Sequence, residues 1–146
     1  MRPQIVRPSA ARSANMAKIR SKDTKPEMLV RRALHRLGFR FRLHVKDLPG
    51  NPDLVLPKHR TIIEVKGCFW HGHNCTDGRT PKSNKAYWLP KLARNKARDR
   101  SNARKLRRLG WSVHGLWECR ICTLNDRDLD DLLLGILKGR SQFKLK

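Results

Sequence analysis

The order of helical and extended patterns along the chain predicts an α/β domain, with a mixed sheet flanked by helices. An apolar stripe at helical spacing over residues 24–38 precedes extended segments at 39–43 and 53–66. A basic helix over 88–109, a strand over 111–119 and an amphipathic helix over 126–137 complete the pattern. A chain of 146 residues is long enough to bury the core of one such domain.

The ends of the chain differ from this domain, which we place at residues 13–140, with a short helix at 13–20. Residues 1–12 are polar, basic and proline-containing, so we expect a flexible arm, and residues 141–146 form a basic tail. No stretch approaches the roughly 18 apolar residues of a membrane span. The N-terminal region also lacks the apolar core of a secretory signal. These features predict a cytoplasmic protein with no membrane partner.

The charge balance points to nucleic acid as the partner. The chain has 34 Lys and Arg residues against 12 Asp and Glu residues, a formal charge of +22. Such an excess disfavours a compact state unless an anionic partner screens it. Four tryptophans and the periodic apolar segments argue against a basic disordered protein. We therefore expect a folded domain that binds nucleic acid.

The first helix has a recognisable start and end. The Thr24 hydroxyl can cap it, Pro26 suits the first turn, and Glu27 completes a capping box. Gly38 ends the helix. The buried face is an i, i+3, i+4, i+7 stripe: Val30, Ala33, Leu34 and Leu37.

The remaining elements follow from alternation and turn residues. Residues 39–43 alternate apolar and basic side chains, as in a half-buried strand, and residues 47–52 have the composition of a turn. Strands at 53–56 and 61–66 are joined by a hairpin-like connection. Residues 67–85 look irregular. The basic helix offers few apolar contacts: Leu92, Leu106 and Leu109.

Two acidic residues and a lysine on the paired strands suggest phosphodiester hydrolysis. Asp53 and Glu64 can meet at adjacent strand ends, and carboxylate oxygens are the ligands that Mg²⁺ prefers. Lys66 points to the same face as Glu64, because side chains in a strand alternate. This is the D…ExK pattern of the restriction-endonuclease-like superfamily. The alternative for so short a pattern is a solvated strand face.

A cluster of cysteine and histidine residues predicts a structural zinc site. Zinc prefers four thiolate or imidazole ligands in a tetrahedron, and a closed set leaves no open position for catalysis. Cys68, His73 and Cys75 lie within eight residues, and Cys119 can supply the fourth ligand. An all-cysteine set that includes Cys122 and releases His73 is the competing arrangement, and spacing alone slightly favours it.

The chain resembles the very-short-patch mismatch-repair endonucleases from about residue 12 to residue 120. The resemblance is most specific at Gly67-Cys68-Phe69-Trp70-His71. The other matching segments are Arg12-Ser13-x-Asn15-Met16, Thr24, Glu27, Leu48-Pro49-Gly50-x-Pro52-Asp53, Tyr87-Trp88, Asn95, Arg98-Asp99-Arg100, Leu109-Gly110-Trp111 and Trp117-Glu118-Cys119. This family nicks one DNA strand beside the thymine of a T·G mismatch.

The resemblance implies a role for each matching residue. Asp53 would bind Mg²⁺, His71 would be the catalytic base, and Glu27 would support the site, alongside or instead of its capping role. The implied zinc ligands are Cys68, His73, Cys75 and Cys119. The residues implied to contact DNA are Asn15, Met16 and Arg98, together with an aromatic wedge of Phe69, Trp70 and Trp88, whose alternative role is core packing.

The resemblance departs from the best-known family pattern at Glu64-Val65-Lys66. That pattern has a threonine and a histidine close by instead. We therefore expect Glu64 and Lys66 to take part in catalysis, with His71 assisting or positioning. A broader mismatch or restriction-type specificity stays open. A zinc-stabilised DNA-binding protein without catalysis is the alternative from another functional class. The family resemblance also suggests a monomer.

Overall fold

A computed structural model describes residues 23–71, 73–75, 78 and 81–138. The predicted arm, the helix at 13–20 with Asn15 and Met16, and the basic tail lie outside these residues. The elements in chain order are α1 (Lys25–Arg36), β1 (Arg42–Leu43), β2 (Leu54–Leu56), a 3₁₀ turn (Pro57–His59), β3 (Thr61–Lys66), α2 (Lys85–Arg108), β4 (Ser112–Trp117), α3 (Glu118–Thr123) and α4 (Asp126–Lys138).

The four strands form one mixed sheet in the order β1-β2-β3-β4. The pairs β1–β2 and β2–β3 are antiparallel, and β3 and β4 are parallel, with Glu64 opposite Gly115 and Lys66 opposite Trp117. A parallel pair needs a long crossover, and α2 supplies it. The predicted α/β class with a mixed sheet flanked by helices is therefore confirmed.

Apolar side chains cover both faces of the sheet. One face packs against α1, α3 and α4 through a cluster that includes Leu34, Ile63 and Leu133. On the other face Ile62 packs with Leu106 of α2. Because side chains in β3 alternate, residues 62, 64 and 66 face α2. This alternation directs the polar end of β3 toward the long basic helix.

The structure differs from the sequence expectation at several element ends. β1 has only two residues, because the chain leaves the extended conformation at His44, whose φ is +46°. The last predicted strand stops at Trp117, so Cys119 lies in the first turn of α3. The basic helix begins at Lys85, three residues early, and Leu109 is 54% exposed at its C-terminal end. None of the described helices is long and apolar enough to span a membrane.

Candidate active site and metal centre

A single cleft of about 1130 Å³ collects the catalytic residues that the sequence predicts. It lies between the start of α1, the ends of β2 and β3, and α2. Its lining also includes Phe69, Trp70 and Arg98 from the predicted DNA-contacting set. The predicted catalytic residues in its lining are Glu27, Asp53, Glu64, Lys66 and His71.

Asp53 is fixed at the start of β2 by the backbone of the neighbouring strand β3. It directly precedes β2, and its Oδ2 accepts a hydrogen bond from the Val65 N–H at 3.0 Å. Burial raises the pKa of Asp53 above its ordinary value, and the Val65 N–H only partly offsets this. The carboxylate is thus oriented but poorly solvated, which suits a group that binds a cation.

Glu64 and Lys66 occupy the face of β3 that lies under α2. The Lys66 Nζ is 3.9 Å from the Glu64 Oε2. Gly115 gives the lysine space, because a Cβ at that position would stand 2.9 Å from the Lys66 Cε. Burial raises the pKa of Glu64, Lys66 partly opposes the effect, and the nearby Asp53 adds to it. Glu64 and Lys66 therefore lie on one face of β3, as the sequence predicts.

His71 is held by an aspartate from α2 that sequence reasoning did not select. The His71 Nδ1 lies 2.5 Å from the Asp99 Oδ2. Burial alone would raise the pKa of Asp99, but the hydrogen bond and charge of His71 lower it below its ordinary value. Asp99 stands in the Arg98-Asp99-Arg100 segment of the family resemblance, and that match was the available signal. His71 and Asp99 are 28 residues apart in the chain, so no local sequence pattern predicts their contact.

Glu27 performs half of the capping box and belongs to a buried charged group. Its N–H donates to the Thr24 hydroxyl at 3.4 Å, as the capping box predicts. Its carboxylate contacts Arg31 at 2.5 Å and the His44 Nε2 at 3.1 Å, and the side chain is only 3% exposed. The His44 Nδ1 lies 3.8 Å from the Asp53 Oδ1. Glu27 therefore reaches the catalytic cleft partly through His44.

The predicted aromatic wedge is a cluster of rings beside the cleft. Phe69 packs edge-on against Trp70 and Trp88, with ring centroids 5.0 and 5.2 Å apart. Asn95 of α2 fixes the segment by donating to the Trp70 carbonyl at 3.0 Å. Phe69 and Trp70 are half-buried, whereas Trp88 is 2% exposed and lies behind them. Trp88 is thus part of the core in this conformation.

The structure brings together the four residues predicted to bind zinc. Their ligand atoms all lie within 4.8 Å of one another. The Cys119 Sγ is 3.5 Å from the His73 Nδ1, close to the edge of about 3.5 Å expected for a tetrahedron with Zn–S and Zn–N bonds of about 2.3 and 2.0 Å. Burial raises the pKa of the Cys68 thiol to about 12, so a bound cation is what would displace its proton. The four residues that could hold the ion are Cys68, His73, Cys75 and Cys119.

This geometry favours one of the two arrangements that the sequence left open. Cys122 is exposed on α3 and lies outside the group of four. Helix α3 explains this, because its first turn places Cys119 against Cys68, and the Cys119 N–H donates to the Cys68 Sγ at 3.4 Å. The four residues fit a zinc ion, and the all-cysteine arrangement is not formed.

Comparison with known proteins gives the family. A family model described as DNA mismatch endonuclease Vsr matches residues 5–77. The chain belongs to the Vsr family. A type II nicking enzyme of Xanthomonas oryzae pv. oryzae, V.XorIIP, is 50% identical over 109 residues, which are 75% of this chain and 80% of that protein. The type II nicking enzyme V.NmeAIP of Neisseria meningitidis is 46% identical over 113 residues, 77% and 81% of the two chains.

The DNA mismatch endonuclease Vsr of Escherichia coli is 39% identical over 116 residues, 80% of this chain and 74% of that protein. As a Vsr-family member the chain is a DNA endonuclease, and DNA is its partner. A DNA endonuclease hydrolyses a phosphodiester, and the cleft lined by Asp53 and His71 is the candidate site for this reaction.

Proposed function

We propose that the protein is a Mg²⁺-dependent endonuclease that nicks one strand of duplex DNA beside a T·G mismatch. The observation that carries this proposal is the paired His71 and Asp99 in one cleft with Asp53, Glu64 and Lys66.

The reaction requires a water molecule to be deprotonated as it attacks phosphorus, while the sugar oxygen leaves. Asp99 holds the Nδ1 of His71, so Nε2 is the ring atom that remains to accept the proton of the water. The negative aspartate also stabilises the imidazolium that forms. Lys66, on the same side of the sheet, provides positive charge for the phosphate oxygens.

Asp53 and Glu64 are the residues that would hold Mg²⁺. Both carboxyl groups have raised pKa values because they are buried. Repulsion from Glu27 adds to the rise at Asp53, and repulsion from Asp53 adds to the rise at Glu64. A divalent cation relieves this repulsion, and oxygen is its preferred ligand. When bound, Mg²⁺ would supply Lewis-acid stabilisation of the charge that develops on the phosphate.

The aromatic cluster supports recognition of a mismatch. A mismatched base pair costs less to unstack than a matched pair, so an aromatic ring inserted beside it distinguishes the two. The Trp88 Nε1 is buried without a hydrogen-bond partner among the described residues. Such an unsatisfied group costs about 1–3 kcal/mol. This cost makes rearrangement of Phe69, Trp70 and Trp88 on DNA easier.

The test uses labelled duplexes that differ only in one base pair: T·G, another mismatch, or a matched pair. We expect Mg²⁺-dependent nicking of one strand of the T·G duplex, suppression by EDTA, and little cleavage of the matched duplex. Comparable cleavage of several mismatches or of matched DNA would replace the T·G assignment by a broader nicking activity. That outcome would agree with the Glu64-Val65-Lys66 segment, which departs from the best-known family pattern.

A further inference from the structure

We propose that a second groove, on the far side of the His71–Asp99 pair from Glu27, binds the sugar-phosphate backbone of the cleaved strand next to the scissile bond. The groove has a volume of about 620 Å³ and lies between α2, the end of β4 and the zinc-site segment. Its position relative to the cleaved bond depends on the proposed function, whereas its binding of DNA does not.

The charge of this groove matches a polyanion. One wall consists of four exposed cationic side chains of α2, namely Lys96, Arg100, Arg104 and Arg107. Their spacing of four, four and three residues places them on one side of the helix. Among the described residues the groove has a single lining carboxylate, Asp99, and that group is bound to His71.

The length of the basic wall suits several consecutive phosphates. At a rise of 1.5 Å per residue, the wall from Lys96 to Arg107 spans about 16 Å. One DNA strand carries a phosphate about every 3.4 Å along the helix axis and at a wider spacing along its own backbone, so more than one consecutive phosphate fits beside the wall. A small anion would occupy only a fraction of this length. A strand of nucleic acid is therefore the ligand that the wall fits.

The groove and the catalytic cleft meet at shared residues. Lys66, His71 and Asp99 line both. A strand whose scissile phosphate lies at His71 can therefore continue into the groove on one side. This continuity is the observation that separates the groove from an ordinary solvated face of a basic helix.

The opposite wall depends on the zinc site. The His73 ring stacks on Trp117 at a centroid distance of 4.0 Å and an interplanar angle of 15°. Both rings line the groove, and His73 is also one of the four proposed zinc ligands. The ion would thus shape a DNA-binding wall as well as stabilise the fold.

The opposite side of the same helix offers a matched control. Arg94, Lys105 and Arg108 are exposed residues of α2 that lie outside the lining of the groove. The variant R100Q/R104Q/R107Q removes three positive charges from the groove, and R94Q/K105Q/R108Q removes three from the other side. Glutamine preserves helix propensity, and measured melting temperatures would show whether both variants fold.

The first measurement is duplex affinity in EDTA as a function of salt concentration, which needs no cleavage. Each lost phosphate contact lowers the log–log salt slope by about 0.9. The salt slope of the groove variant should therefore be smaller than that of wild type by about 2.7. Between 50 and 200 mM salt, the drop in affinity of wild type should be about 40-fold greater than the drop in affinity of this variant. The control variant should change the slope by less than half as much. Equal changes in the two variants would overturn the proposal.

The second measurement locates the contacts along the strand. Single phosphates of the cleaved strand are replaced in turn by uncharged methylphosphonates. Wild type should lose affinity at several consecutive positions on one side of the cleaved bond, and the groove variant should be insensitive at those positions. The same sensitivity in both proteins would refute the placement. Normal groove binding without nicking would instead count against the proposed function alone.

Discussion

Replacing Asp99 by asparagine tests whether its contact with His71 is needed for cleavage. The substitution keeps the size of the side chain but removes the negative charge that lies 2.5 Å from the His71 Nδ1. A hydrogen bond to a charged group contributes about 1.5–3 kcal/mol. At 1.36 kcal/mol per tenfold change in rate, D99N should cleave about 10- to 150-fold more slowly than wild type.

The assay is single-turnover nicking of a duplex that wild type cleaves, with affinity measured separately in EDTA. Because Asp99 acts through His71, we expect the rate to fall while the affinity changes little. D131N is the matched control, since Asp131 is an exposed aspartate on α4 that lines neither the cleft nor the groove. In a double-mutant cycle, H71A/D99N should be no slower than H71A, because the two side chains act as one unit.

Two results would refute this reasoning. If D99N cleaves within about twofold of wild type, the hydrogen bond to His71 does not support the chemical step. If the effects of H71A and D99N on the rate multiply in the double variant, the two residues act independently, and Asp99 is not a positioning residue for His71.

Two further predictions concern zinc binding and the effect of the buried Glu64 carboxyl on stability. C75S should lose zinc and on the order of 4 kcal/mol of stability, which corresponds to a melting temperature lower by about 8–16 °C. C122S should retain both, because Cys75 belongs to the group of four and Cys122 does not. Equal zinc content in the two variants would exclude that ligand set. E64Q should abolish nicking and yet raise the melting temperature at neutral pH in EDTA. The sign follows from the raised pKa of Glu64: burial penalises the folded state while the carboxyl is charged, and the gain should vanish as the pH falls below the unfolded value of about 4.3. A melting temperature lowered by E64Q at neutral pH would contradict this account.

Local patterns in the sequence were sufficient to predict the secondary structure that carries part of the site. The alternation of β3 placed Glu64 and Lys66 on one face, because the side-chain period of a strand is fixed by backbone geometry. The cap at Thr24 was equally local, since its acceptor and donor are three residues apart. The sequence also determined the family, through the Gly67-Cys68-Phe69-Trp70-His71 block and the motifs around it.

Contacts between distant segments were decided only by the tertiary structure. The contacts of His71 with Asp99 and of His44 with Glu27 join residues that are 28 and 17 positions apart in the chain. The choice of His73 over Cys122 depends on where helix α3 begins, because its first turn places Cys119 46 residues along the chain from His73. No local pattern specifies such distances, because they depend on how α2 and α3 pack against the sheet. The sequence by itself indicated which residue types could bind metal and hydrolyse a phosphodiester. The packing of the helices on the sheet determined which of these residues are in contact.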